Sequence, residues 1–178
     1  VVGETHPGVR ATQGEAYREQ LQDLVRKHGL ENHVRFINKY LKYRDLVLYL
    51  LASDVYIVPY LDLNQIVSGT MAYAMGCGRA IISTPSTYAQ EILGDGRGML
   101  VPVRDAAAIQ AAAGDLLRDS EFRAAMQRKA YAYGHEMIWS NVGRAYSEVY
   151  ESIGGGRVRA LGALPGPALV EVPAAHLR

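Results

Sequence analysis

Between Gln65 and Gly76 the chain reads Gln-Ile-Val-Ser-Gly-Thr-Met-Ala-Tyr-Ala-Met-Gly, and three consecutive residues in it, Ser68, Gly69 and Thr70, have the chemistry of an anion cradle. A serine ahead of a helical stretch caps the first turn with its hydroxyl. A glycine removes the Cβ where a ligand oxygen would approach the backbone. The N–H groups of a first turn have no partner inside the helix, and together they carry roughly half a positive charge. A phosphate fits such a corner. That partial charge is worth about 0.3–1 kcal/mol to an exposed anion, enough to orient a diphosphate but not to hold it. A basic partner is implied, and Lys39, Arg10 and Arg79 are the local candidates. On spacing alone two readings stand, a phosphate site or an ordinary capped turn.

The elements that must position this corner alternate along the chain. Ala16, Tyr17, Leu21, Leu24, Val25 and His28 fall near helical spacing between Glu15 and His28, with Gly29 as a stop signal. Residues 33–37 alternate as a short strand, and helical spacing returns from Arg44 to Ser53. Val55-Tyr56-Ile57-Val58 is almost wholly apolar, which fits a parallel strand buried on both faces, and Pro59 ends it. The quoted segment supplies the next loop and helix. Strands are then expected at 80–84 and 99–102, with a short helix from Thr87 to Leu93 between them. Three further helices are expected at about 105–118, 120–134 and 140–152. The pattern βαβαβαβαβ predicts an α/β fold with an open, doubly wound parallel sheet covered by helices on both faces, a three-layer α/β/α arrangement. In such sheets ligands bind outside the carboxyl ends of the strands, and the loop from Tyr60 to Val67 leaves its strand at that end.

Composition excludes several classes. Nineteen basic and 18 acidic residues leave a net charge of +1, with no electrostatic footprint for nucleic acid. The one cysteine, Cys77, excludes an internal disulfide and reads as a buried core thiol in a reducing compartment. No apolar run approaches the roughly 20 residues that span a bilayer, and no signal peptide is visible, so the expected location is the cytoplasm. No metal-ligand spacing is present. Val1-Val2-Gly3 looks like the end of a buried strand whose beginning is missing, which suggests a piece of a longer protein. The aperiodic stretch 154–178, rich in Pro, Ala and Gly, is expected to be a loose or docked tail.

Several blocks together resemble a known family. Ala52-Ser53-Asp54-Val55-Tyr56-Ile57-Val58-Pro59-Tyr60, Ala72-Tyr73-Ala74-Met75-Gly76-Cys77-Gly78-Arg79 with the strand Ala80 to Thr84, and Gly96-Arg97-Gly98-Met99-Leu100-Val101-Pro102 are similar to the C-terminal half of family 4 retaining glycosyltransferases of the GT-B fold. Val34-Arg35-Phe36 and the closing Trp139-Ser140 helix extend the resemblance to roughly residues 1–153. It implies a Rossmann-like nucleotide-sugar-binding domain over that range, facing a second, acceptor-binding domain that lies outside this chain. It also implies that the family's principal phosphate-gripping Arg and Lys fall upstream of Val1.

The family carries two glutamates where this sequence has Gln65 and Tyr73, one near the donor sugar and one at the ribose hydroxyls. Gln65 can still hold a sugar hydroxyl, and Tyr73 can hydrogen-bond and cover a ribose face. Each such bond contributes on the order of 1 kcal/mol, so the replacements retune donor choice more than they abolish binding. The donor-binding set implied is Asn64, Gln65, Ser68, Gly69, Thr70 and Tyr73, with Asn38, Lys39 and Tyr40 in the loop that contacts base or phosphate. The donor is a nucleoside diphosphate hexose used as substrate, with no separate cofactor and no metal. No residue here is a persuasive catalytic base or nucleophile, so catalysis is expected to need the whole protein. The rival expectation is a non-catalytic docking module that kept the fold after losing both glutamates.

Overall fold

The computed structural model describes residues 1–154, which divide into one unit ending at His135 and a second beginning at Glu136. The first unit holds α1 (Pro7–Gln13), α2 (Ala16–Lys27), α3 (Tyr43–Leu51), β1 (Val55–Val58), α4 (Gly69–Gly76), β2 (Ala80–Ser83), α5 (Thr87–Ile92), β3 (Met99–Leu100), α6 (Ala106–Arg118) and nearly all of α7 (Ser120–Glu136). The second holds α8 (Trp139–Gly154). The expectation for the tail lies, beyond Gly154, outside the described residues.

The three strands form a parallel sheet in the order β1-β2-β3, with Val55 opposite Ala80 and Ile82 opposite Met99. β2 is central, and all four of its residues are buried. Alternation divides them between two faces. Ala80 and Ile82 join Val101, Ala112, Leu116 and Met126 in one apolar cluster, built against α6 and α7. Ile81 faces the other way, where α4 packs on β2 and buries Met71, Ala74 and Met75. Helices therefore cover both sides of the central strand, as a three-layer α/β/α domain requires.

Local chemistry explains where the helices start. Ser68 Oγ accepts from the Met71 amide, Ser86 Oγ from Ala89 and Asp105 Oδ1 from Ala108, so α4, α5 and α6 each open on a side-chain cap. α7 runs beneath the amino ends of the strands. Gln127 donates to the Asp54 carbonyl, just ahead of β1, and Lys129 to that of Asp95, ahead of β3. Its Gly134 meets Gly76 so closely that a Cβ would lie 2.8 Å from the Gly76 backbone. With α7 closing the amino ends, the carboxyl ends of β1 and β2 are left to loops.

Three expectations need correction. Residues 33–37 form no full strand: Ile37 makes one parallel bridge with Val2, and Gly3 donates to the Ile37 carbonyl at 3.0 Å. A helix, α1, occupies Pro7–Gln13, where none was expected. Pro7 sits in its first turn and His6 Nδ1 accepts from the Gly8 amide, a start signal carried by an unusual capping residue. β1 is not buried on both faces. It stands at the edge of the described sheet, and Ile57 is 42% exposed.

Candidate functional site

The loop after β1 and the first turn of α4 form the corner marked out by Ser68, Gly69 and Thr70. Ser68 is buried and Gly69 and Thr70 are exposed. A Cβ built on Gly69 would meet nothing within 4 Å. Ser68 Oγ takes the Met71 amide and the Ser68 carbonyl takes that of Ala72, whereas the amides of Gly69 and Thr70 have no partner among the described residues. Two donors are thus left beside open space at the positive end of a helix.

Two tyrosines that sequence reasoning missed hold this turn in place. The Tyr60 hydroxyl and Ser68 Oγ share a 2.6 Å hydrogen bond, and Tyr56 donates its hydroxyl to Thr70 Oγ1 at 2.8 Å. Thr70, accepting from Tyr56, keeps its own hydroxyl proton to donate. Burial pushes the Tyr56 phenol up, so it is protonated at neutral pH and serves as a donor. A polar aromatic in an otherwise aliphatic strand was the available signal.

The rest of the loop is pinned from the other side. Thr84 Oγ1 donates to the Tyr60 carbonyl at 2.6 Å, and the amides of Thr87 and Tyr88 donate to the carbonyls of Leu63 and Gln65. Gln65 is half-buried, and its side-chain amide donates to the Val67 carbonyl at 2.9 Å, while its amide oxygen meets no donor among the described residues. Asn64 is exposed, with its backbone amide bound to Asp62 Oδ1.

Tyr73 lies one turn further along α4, 42% exposed, with its ring edge-on to that of Tyr43 at 5.4 Å. Tyr43 opens α3, so this contact ties α4 to the helix that follows Asn38, Lys39 and Tyr40, all three exposed.

The basic candidates separate. Arg79 is excluded from the corner: it sits just ahead of β2, and its guanidinium donates to the carbonyls of Cys77, Leu51 and Ser53. Four strand residues, about 13 Å, lie between that end of the sheet and the loop ends. It is a clamp on the end of α3. Arg10 is paired with Glu15 at 2.7 Å. Hydrogen bonds from Thr5 and Arg10 hold the Glu15 carboxyl below its usual range. Lys39 alone among the three has neither a carbonyl nor a carboxylate partner among the described residues. Burial pushes the Cys77 thiol up, away from thiolate chemistry. Among the described residues no three His, Cys, Asp or Glu side chains converge on a point, and no helix is long and apolar enough to cross a membrane.

Comparisons with known proteins bear on the family and the fold. The chain is 31% identical over 109 residues to phosphatidyl-myo-inositol mannosyltransferase of Mycolicibacterium smegmatis, a match covering 61% of this chain and 28% of that protein. The solved structure of Anabaena Alr3699/HepE in complex with UDP and glucose superposes with a TM-score of 0.71 at 18% identity, over 87% of this chain and 40% of that one. The C-terminal domain of the glycosyl transferase group 1 protein LpcC from Francisella tularensis superposes with a TM-score of 0.61 at 22% identity, over 71% of this chain and 65% of that one. These structural likenesses establish the Rossmann-like fold of a GT-B glycosyltransferase domain. The chain spans less than two thirds of the length of each of these proteins. The sequence profile described as "Glycosyl transferases group 1" matches residues 8–119, more than half of the chain. The chain therefore belongs to the group 1 glycosyl transferases.

Proposed function

We propose that the chain is the C-terminal, donor-binding domain of a family 4 retaining glycosyltransferase, working in the cytoplasm and moving a hexose from a nucleoside diphosphate to an acceptor held by a second domain. The observation that carries this reading is the pair of amides at Gly69 and Thr70, unpartnered among the described residues, beside space that a Cβ would fill. The diphosphate oxygens accept from those amides and from the Thr70 hydroxyl, and the partial positive charge of α4 stabilises the leaving group as the glycosidic bond breaks. Tyr60 and Tyr56 hold the turn rigid, so the donors need no reorganisation when charge develops. The Gln65 amide oxygen, with Asn64 beside it, faces the donor sugar's hydroxyls. Tyr73 lies against the nucleoside, and Asn38, Lys39 and Tyr40 supply further contacts to base or phosphate. The charge needed beyond these residues is supplied by the part of the protein outside this chain, so the isolated piece is expected to bind the donor without turning it over.

A structure of Alr3699/HepE holding UDP and glucose supports a nucleotide-sugar ligand for a domain of this fold. One observation favours the rival reading of a docking module: the Gln65 amide nitrogen is already bound within its own loop. A thermal-shift panel of UDP, GDP and ADP with their glucose and mannose derivatives separates the two. Donor binding raises the melting temperature with one base preferred, since ligand at 100 times its Kd stabilises by about 2.7 kcal/mol. No shift with any nucleotide leaves the docking module.

A further inference from the structure

We infer that Tyr43 is a positioning residue for the nucleoside end of the ligand, acting through the ring of Tyr73. This rests on the donor-binding reading. Gly69 and Thr70 precede Tyr73 by four and three residues, so the three share one face of α4. A ligand anchored by its anionic end at Gly69 and Thr70 meets Tyr73 as the next large side chain along that face.

Tyr73 and Tyr43 are 42% and 63% exposed, so neither ring belongs to the buried core. Their centroids are 5.4 Å apart with the planes at 66°, the edge-to-face arrangement that aromatic quadrupoles favour. Such a contact braces a ring from the side and restricts its rotation, while leaving aromatic surface for a ligand. The pair presents aromatic ring surface and phenolic hydroxyls, with no basic group. Its chemistry matches a planar base or the apolar face of a ribose, not a second phosphate. Tyr43 is also the first residue of α3, immediately after the segment bearing Lys39 and Tyr40, so the brace couples both chain segments expected at the nucleoside.

The test titrates the chain and its Tyr43→Leu and Tyr43→Phe variants by calorimetry. The probes are inorganic pyrophosphate and whichever of UDP, GDP and ADP gives the largest thermal shift. Tyr43→Leu is expected to weaken the nucleotide by about two- to tenfold, the range for an aromatic pair, and to leave pyrophosphate unchanged. Tyr43→Phe, which keeps the ring, restores nucleotide binding. A merely structural role would instead weaken both ligands together and lower the melting temperature. Equal losses for the two ligands, or an unchanged nucleotide Kd in Tyr43→Leu, overturn the inference alone. An unsubstituted chain that binds none of the three nucleotides overturns the donor-binding reading and the inference with it.

Discussion

Replacing Gly69 sets stability against binding. Its backbone is outside the left-handed region, and an added Cβ meets nothing within 4 Å, so alanine fits without strain. Removing glycine from the unfolded chain's repertoire stabilises by about 0.4–1 kcal/mol at a compatible site, and the first helical position puts Gly69→Ala at the lower end. For a chain of this size that is a rise of about 1–3 °C in melting temperature. The ligand experiences the opposite effect. A hydrogen bond to a charged group contributes about 1.5–3 kcal/mol, so a side chain that keeps phosphate oxygen from one amide weakens a nucleoside diphosphate by about 10- to 100-fold. Gly69→Val obstructs more and gains less stability, because a β-branched residue loses χ1 freedom in a helix. Melting curves with and without UDP, GDP or ADP, followed by calorimetry, measure both effects on the same samples. A folded Gly69→Val that binds nucleotide with unchanged affinity refutes the site, however well the architecture stands.

Three further predictions test the scaffold. Gly134→Ala places a Cβ 2.8 Å from the Gly76 backbone and should destabilise by about 1–3 kcal/mol in urea unfolding; a loss below about 0.5 kcal/mol would show that α7 can slide away from α4. Arg79→Ala removes the donors to three backbone carbonyls and should lower stability by about 1–3 kcal/mol while leaving nucleotide affinity unchanged, whereas a selective loss of affinity would return Arg79 to the binding site. Glu15, held by Thr5, Arg10 and Arg18, has a folded pKa below its unfolded value, so its contribution is full above the ordinary carboxylate value of about 4.3 and fades as pH falls through the folded value. The melting-temperature gap between wild type and Glu15→Gln should accordingly narrow from pH 7 to pH 3.5, and a constant gap would rule out the linkage.

Much of the fold was legible because local signals and burial agree. The β2 run Ala-Ile-Ile-Ser is apolar at its first three residues, as a strand covered on both faces must be, and all four are buried. β1 carries the same signal, yet Ile57 is exposed, because periodicity cannot tell a central strand from the edge of the described sheet. Residues 33–37 alternate well but, among the described residues, meet just the short segment Val1 to Gly3 in a single bridge, and a strand needs a neighbour as much as a pattern. α1 was hidden because histidine is not a customary cap, although Pro7 was a legitimate start signal.

By itself the sequence determined the alternation of strands and helices, the capped start of α4 and the absence of a Cβ at Gly69, since these depend on residue types and near neighbours. Only the tertiary structure decided which groups converge: Arg79 at the far end of the sheet, Arg10 on Glu15, the hydroxyls of Tyr56 and Tyr60 on Thr70 and Ser68, and Tyr43 against Tyr73. Local propensity reaches one turn of helix or one strand. Contacts between residues tens of positions apart depend instead on how packed layers bring their loops together, and no pattern along the chain encodes that distance.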